Sequence, residues 1–313
     1  MALLATTGFV ACGDDDDDDD AVNGGSGSGS GSSVASGLRV TRVGEWSLDY
    51  DGSGRLISID DNYGFKTVIN GNRMALDYKG VQVDFATLLF NGSGYISKIE
   101  MKLDEQYDAG DQSTVYNLSY NGDGQLAKVT ATGKGNYYDE DDGQVSYSGK
   151  ATLTLSYSNG NLMTYTIKSE ESGTRNGRSY NLITAIDADF TYGQQENKFW
   201  QLPYHVADEI GVLGDFSGPV ACAGLLGKGS ALLPTSYTVT ETDNDTGEVE
   251  NYNDTYRLTF ELNEDGTIKS EAQNHYAPMV YVYGTSATRS FAQVQPQNVR
   301  SLLNVLPRMF RRH

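Results

Sequence analysis

The sequence predicts an all-β protein, an antiparallel up-and-down meander of β-hairpins. A hairpin phrase recurs along the chain, as in LSYNGDGQLAKVT at residues 118–130. After each turn, apolar residues alternate with polar ones, as in a strand with one buried face. The 313 residues include 36 Gly and 21 Tyr but only 6 Pro, which suits a large domain of many strands and turns.

We expect the meander to close into a barrel, because closure removes the two exposed edges of the sheet. About 12 strands would surround a cavity or a filled interior. The alternative is an open curved sheet. A barrel that itself spans the membrane is a third option, but the lipid anchor considered below would then be redundant.

Each copy of the phrase places Tyr or Phe before a turn rich in Asn, Asp and Gly. A branched apolar residue stands two places after the last glycine. Tyr and Phe favour strands, and Asn-Gly and Asp-Gly supply the positive φ angles of tight turns. Each copy is therefore predicted to be one hairpin; the copies lie at residues 48–60, 88–100, 118–130, 155–166 and 258–271.

Other stretches depart from this pattern. Residues 137–149 are acidic and rich in Tyr, without periodicity, and are predicted to form a long loop. Residues 170–177 are predicted to form an exposed turn. Residues 204–213 and 221–233 are apolar without alternation, which favours short helical or irregular segments that cover an end or edge of the sheet. Strand signals return afterwards and end with MVYVY at residues 279–283.

The chain is expected to begin with an export signal. Residues 1–12 end in Phe9-Val10-Ala11-Cys12, which resembles a bacterial lipobox. In this interpretation Cys12 is diacylated through its sulfur and becomes the mature N-terminus. The aspartate run at residues 14–20 resembles the signal that directs Bacteroidetes lipoproteins to the outer face of the outer membrane; the alternative is an acidic spacer.

Four segments follow from this organisation. Residues 1–12 are the signal remnant, and residues 13–37 are an acidic and Gly/Ser-rich flexible tether. Residues 38–283 form the barrel domain. Residues 284–313 form a C-terminal tail with a possible short basic helix.

The net charge of the chain argues against two classes of partner. The formal net charge of −19 argues against binding to nucleic acid, whose phosphates attract Lys and Arg. It argues equally against attraction to anionic lipid heads. We therefore expect contact with the membrane to come from a lipid anchor on Cys12.

One turn partly fits a calcium loop. Asp49, Asp51 and Ser53 offer oxygen ligands at EF-hand spacing, and Asp60 stands where the bidentate Glu is usual. However, both flanks are predicted strands, and a hairpin turn explains the glycines without a metal. Calcium at these residues stays a weak hypothesis, and no cofactor is predicted.

No catalytic residue is predicted. Residues 224–230 (GLLGKGS) match a phosphate loop poorly, and Cys222 is expected to be a buried, inert thiol. His205, His275 and His313 are isolated, without metal-ligand spacing. Most tyrosines are expected to pack in pairs between strands. The alternative is that exposed tyrosines offer ring faces to sugars or proteins, and Tyr137, Tyr138 and Tyr147 are its candidates because they fall in the predicted loop.

With these motifs, the chain resembles a family of Bacteroidetes lipoproteins of unknown function with a porin-like β-barrel domain. Three features carry the resemblance: the Y-N-G-x-G-x-L hairpins, FTYGQQENK at residues 190–198 and GLLGKGSALLP at residues 224–234. The hairpin phrases also look like the tyrosine–aspartate repeats of RHS-type shells. The resemblance spans about residues 38–283 and transfers no catalytic residues.

The function expected is that of a non-enzymatic lipoprotein on the outside of the outer membrane. It would bind a glycan, lipid or protein ligand, or serve as a structural module. The alternative is a cell-surface hydrolase with acidic residues at the barrel mouth.

Overall fold

The computed structural model describes residues 38–61, 66–78, 81–103, 111–139, 143–199, 201–213, 216–274 and 276–285. Cys12, the acidic run, the tether and the tail beyond Thr285 lie outside these ranges. Of the described residues, no helix is long and apolar enough to cross a membrane.

Sixteen strands and two short helices make up the described chain. The strands are β1 Leu38–Val43, β2 Trp46–Tyr50, β3 Leu56–Asp60, β4 Lys66–Asn70, β5 Arg73–Tyr78, β6 Val81–Phe90, β7 Ile96–Leu103, β8 Asp111–Tyr120, β9 Leu126–Asp139, β10 Gly143–Ser158, β11 Asn161–Arg175, β12 Arg178–Glu196, β13 Leu232–Asp245, β14 Glu248–Leu262, β15 Ile268–Gln273 and β16 Met279–Thr285. The helices are α1 Tyr204–Ile210 and α2 Ser217–Cys222.

The strands form one closed antiparallel barrel. Each strand pairs with its neighbours in sequence, and β16 pairs with β1, with Leu38 opposite Thr285. The predicted meander and its closure are confirmed. The expectation of about a dozen strands was too low, because β4 and β5 form a short hairpin without the recurring phrase.

The predicted loop at residues 137–149 is wrong, and the exposed turn predicted at residues 170–177 is confined to Asn176 and Gly177. β9 extends to Asp139 and β10 begins at Gly143, while β11 extends to Arg175. The alternation is present in these strands, but glycines occupy inward positions where apolar side chains were sought. Gly135 and Gly173 lie on either side of the buried Tyr147 in the neighbouring strands. The aromatic ring fills space that the glycines leave.

The recurring turns share one hydrogen-bond pattern. The side-chain oxygen of Asn121 accepts hydrogen bonds from the backbone N–H groups of Asp123 (3.1 Å) and Gln125 (2.9 Å). Gly124, with φ of 82°, donates to the Asn121 carbonyl. Asn91 and Asp51 make the same two side-chain bonds in their own turns. The Asn or Asp before the glycines therefore fixes each turn.

The tyrosines of the phrase connect one hairpin to the previous one. Tyr120 donates through its hydroxyl to the carbonyl of Ile96 (2.6 Å), and Tyr157 donates to Leu126 (3.0 Å). Tyr192 donates to Leu162 (2.6 Å). The acceptors are the branched residues that follow the turn in the preceding copy. Each such bond contributes about 1 kcal/mol.

The wall is apolar inside and polar outside. β10 directs Val145, Tyr147, Ala151, Leu153 and Leu155 inward, where they are buried. The outward positions of β10 are polar: Gln144, Ser146, Ser148, Lys150, Thr152, Thr154 and Ser156. Those of β11 are polar except for the exposed Met163: Thr164, Thr166, Lys168, Glu170, Ser172 and Thr174. A barrel wall in lipid instead carries an apolar outer band.

Residues 197–231, here called the inserted segment, leave the wall after β12 and lie inside the barrel. Rings from different sides of the wall reach it. Trp46 of β2 and Phe85 of β6 both contact Phe216 of the inserted segment. α2 is buried throughout, and a Cβ on Gly218 would lie 2.4 Å from the Tyr204 ring, so only glycine fits where α2 meets α1. The predicted helical segments are confirmed, although they fill the barrel as well as cover it.

The end of the inserted segment closes the end of the barrel that carries the recurring turns. Leu225 accepts a hydrogen bond from the backbone of Ile96, and Lys228 donates to Gly124. The amide of Gln125 donates to the carbonyls of Gly160 (2.8 Å) and Gly229 (3.0 Å). The candidate site lies at the opposite end.

Candidate functional site

A cavity of about 960 Å³ lies at the end of the barrel opposite the recurring turns. α1 supplies its floor, and strands from both sides of the barrel closure supply its walls. The lining residues are Arg42, Gly44, Glu45, Trp46, Tyr204, His205, Asp208, Glu209, Val239, Glu241, Tyr252, Asp254, Tyr256, Gln273 and residues 276–280.

Contacts to the wall hold α1 in place. The indole N–H of Trp46 donates to the Tyr204 hydroxyl (3.0 Å). On the other side, the Tyr165 hydroxyl donates to the Glu209 carboxylate (3.2 Å). Because β2 and β11 both form hydrogen bonds with α1, from two sides, the cavity floor is held in place without a ligand.

A buried carboxylate caps the start of α1. Pro203 precedes the helix and gives no side-chain cap. Glu271 of β15, which is 0% exposed, takes that role and accepts hydrogen bonds from the backbone N–H groups of Tyr204 (3.0 Å) and His205 (3.2 Å). The Tyr281 hydroxyl donates to the same carboxylate (2.6 Å). Burial nevertheless raises the pKa of Glu271 to about 7.

His205 lines the cavity, and its Nε2 is a buried atom without a hydrogen-bond partner among the described residues. The residue is 8% exposed and lies edge-on to the Tyr204 ring, with ring centroids 5.7 Å apart. Burial lowers the pKa of His205 to about 4, so the imidazole is neutral at pH 7. A buried polar atom without a partner costs free energy that a ligand can recover.

Aromatic rings line the β13–β14 side. Tyr256 stacks on Tyr237, with ring centroids 4.9 Å apart, and the Tyr237 hydroxyl accepts a hydrogen bond from Gln273. Tyr252 and Tyr276 lie at the rim and are 50% and 61% exposed. Their ring faces are open to a sugar, an apolar group or a cation.

The charge of the cavity is negative. Its lining contains five carboxyl groups, from Glu45, Asp208, Glu209, Glu241 and Asp254, and one guanidinium, from Arg42. The low-dielectric wall concentrates the field of these groups in the cavity. The arrangement therefore favours cations and hydrogen-bond donors.

A second polar network lies among the inward-facing residues of β11–β13. Burial raises the pKa of Glu171, whose carboxylate accepts a hydrogen bond from Tyr180 (2.6 Å). Arg175 lies over the Tyr180 ring at 3.6 Å and contacts Asp245 (2.9 Å). These groups contact one another across β11–β13 and do not line the cavity, so the network links the strands.

The proposed calcium ligands have other partners. Asp51 accepts hydrogen bonds from Ser53 and from the Arg55 backbone and side chain, and these bonds lower the pKa of Asp51. Asp49 accepts from Ser58 (2.8 Å), while Asp60 pairs with Ser47 across β2–β3. In the described part of the chain, no three His, Cys, Asp or Glu side chains are grouped so as to hold a metal ion.

The other residues singled out from sequence lie apart from one another. Cys222 is buried in α2, and burial raises the pKa of its thiol well above the usual value. Tyr147 is buried inside the barrel, whereas Tyr138 is 70% exposed on the outer wall. Cys12, His275 and His313 lie outside the described residues.

Sequence reasoning did not find the cavity. Of the isolated histidines, His205 does line it, but nothing in the sequence places the ring beside Trp46 or Tyr256. The one usable signal was the loss of alternation at residues 204–213, where α1 begins. That signal indicated an inserted segment but not which of its side chains face open space.

Replacement of Glu271 by Gln should flatten the dependence of stability on pH. The folded state binds this proton more tightly than the unfolded state, where the pKa of the carboxyl is near its ordinary value of 4.5. This contribution is complete below pH 4.5 and lost as pH rises through about 7, a loss of roughly 3 kcal/mol. Urea unfolding at several pH values measures the slope.

The matched control is Glu248→Gln on the exposed start of β14, which should keep the wild-type slope. If Glu271→Gln also keeps that slope, the carboxyl is not the group that titrates.

Two solved structures are similar to this chain. A porin-like protein from Bacteroides vulgatus is similar in structure, with a TM-score of 0.45 and 13% identity, covering 78% of this chain and 98% of that chain. For a porin-like protein from Bacteroides uniformis, the TM-score is 0.43 and the identity 15%, covering 77% and 89%. No curated protein matches the sequence.

A family model matches residues 48–270, most of the barrel. The lipid anchor and the likeness to tyrosine–aspartate repeats stay predictions. The chain belongs to the family described as a domain of unknown function (DUF4595) with porin-like fold.

Proposed function

We propose that this protein is a ligand-binding lipoprotein of the outer membrane, facing the cell exterior, and that it acts by binding and not by catalysis. The observation that carries the proposal is the cavity itself, whose lining combines tyrosines, five carboxyl groups and the neutral imidazole of His205. Concave sites with aromatic walls and a few convergent polar groups are typical of ligand binding.

The lining favours a polar or cationic ligand among the classes considered. Carboxylates and tyrosines dominate it, while Val239, Met279 and Val280 are its main aliphatic residues. An acyl chain would remove water from these carboxylates and offer them no hydrogen bond, which is costly. A glycan or a polypeptide instead offers hydroxyl, amide or ammonium groups to these oxygens.

Binding is favoured over hydrolysis by the position of the titratable groups. A general acid needs a raised pKa at the reacting centre. Burial raises the pKa of Glu271 and of Glu171, and neither residue lines the cavity. Glu271 is already engaged in capping α1.

The polar outer wall supports attachment through a lipid and not through the strands. Charged residues at the lipid face of a barrel cost about 2–4 kcal/mol each near the bilayer centre. Lys150 and Glu170 form an exposed ion pair on that wall (2.9 Å). An acyl chain on Cys12, with residues 13–37 as tether, would hold such a barrel in water beside the membrane.

Surface proteolysis tests the placement. Protease added to intact cells that express the full-length precursor should remove the barrel while the cells stay sealed. Cys12→Ala should abolish membrane attachment, because the acylated thiol is gone. If the wild-type barrel is protected until the cells are opened, the acidic run is a spacer and the outward orientation is wrong.

Binding to the cavity is tested with three probes: maltohexaose, deacetylated chitohexaose and a peptide of alternating Lys and Thr. The cationic probes should bind, and His205→Phe should weaken them by about fivefold or more, since it keeps the ring but removes Nε2. Tyr138→Ala on the outer wall is the control and should change nothing. Titration calorimetry measures both variants. If no probe binds, or His205→Phe binds as the wild type does, the cavity is not the ligand site.

A further inference from the structure

We propose that the ligand is an extended, basic segment of a partner protein, which adds to β14 as an extra strand beside the cavity. This inference rests on the proposed function, because it assigns the class of ligand for the same cavity. Three features carry it: an unpaired strand edge, the direction of its side chains and its charge.

The first part of β14 has a partner on one side only. β13 pairs with it from Glu248 to Arg257, whereas β15 pairs with it only from Leu258 onward. Across the described chain, no strand lies on the other side of Glu248–Thr255, and these eight residues are exposed. The closed barrel therefore keeps a short open edge beside the cavity. Such an edge is a template for strand addition.

The alternation of backbone direction along β14 shows which of its N–H and C=O groups point to the unpaired side. Arg257 and Thr255 direct backbone groups away from β13, because they bond with Asn274 on the far side. The β13–β14 register runs without a bulge, and backbone groups alternate in direction along a strand. Val249, Asn251 and Asn253 therefore direct their N–H and C=O groups to the open side.

A strand added at this edge would lie over the side of the cavity. Tyr252, Asp254 and Tyr256 are the alternate residues of β14, and all three line the cavity. Side chains of paired strands project to the same face at matching positions. Every second side chain of the added strand would therefore enter the cavity, toward the rim tyrosines and His205.

The negative charge of this edge favours a basic partner segment. Residues 248–254 contain Glu248, Glu250 and Asp254 and no basic residue. A second copy of β14, paired antiparallel about Asn251, would place Glu248 opposite Asp254, and like charges directly opposite are destabilising. A strand with Lys or Arg at alternate positions meets the carboxylates of the edge and of the cavity. The edge thus disfavours its own copy and accepts a basic segment.

The test measures binding of a fluorescent peptide of alternating Lys and Thr, with blocked ends, to the full-length protein by anisotropy. Asn251→Pro should weaken binding by about tenfold or more, since proline removes an N–H on the open side and spares the bonds to β13. Asn251→Ala keeps that N–H and should bind as the wild type does. Circular dichroism and thermal unfolding check that both variants fold.

A second probe needs no variant of the protein. The same peptide with N-methyl groups on alternate residues keeps its charge but cannot donate along one edge, and it should lose binding. Equal binding of the methylated and unmethylated peptides, or of Asn251→Pro and wild type, would mean attraction by charge alone and overturn the inference.

Two other results also overturn it. If deacetylated chitohexaose binds in a His205-dependent way and the peptide does not, the cavity is a ligand site but its ligand is not a strand. If light scattering shows a wild-type dimer that Asn251→Pro dissociates, the edge belongs to a second copy of this chain.

Discussion

A sixteen-stranded barrel is too wide for the side chains of its own wall to fill. Barrels of about eight strands are filled by their side chains, whereas those of about sixteen leave a channel. Here the inserted segment meets that constraint, because α1 and α2 occupy the interior and join the same apolar core as the wall. The closed end and the cavity floor both follow from where this segment lies. The cavity is the part of the interior that the segment leaves unfilled.

The distribution of apolar and polar residues on the wall also follows from the position of the inserted segment. Since its inner face packs on the inserted segment, the inner positions are apolar, and the outer positions of β10 and β11 are mostly Lys, Glu, Ser and Thr. This polarity is opposite to that of a barrel whose outer face meets lipid. The fold is porin-like in shape, while its outer surface suits water. A tethered acyl chain on Cys12 would reconcile such a surface with a place at the membrane.

The fold was largely readable from the sequence, because the recurring turn and its tyrosine are local features. The turn glycines and the residues after them are where the structure uses them, and Tyr120 and Tyr157 bond to the preceding copy. The extended parts of β9–β11 escaped notice because glycines stand at inward positions such as Gly135 and Gly173. A hydropathy pattern does not identify a glycine as inward-facing, even where it leaves space for a neighbouring ring.

The site was not readable, because its residues meet only through the topology. Glu271 shows the difficulty: in the strand sequence IKSEAQ it looks like a surface acid, yet it is fully buried. Its partners are the backbone N–H groups of α1, about 66 residues earlier in the chain. No spacing rule connects a strand residue to a helix start that the sequence marks only by loss of alternation.

The central claim is that the inserted segment is a fixed part of the core and not a loosely held loop. Hydrogen exchange of the full-length protein measures this directly, at the amides of Tyr204, His205 and Lys228. These amides bond to Glu271 and to Gly124 of the wall, so they should exchange as slowly as those of β11. Complete exchange at these positions while the strands remain protected would contradict the account, since neither the floor of the cavity nor the closed end would then be preformed.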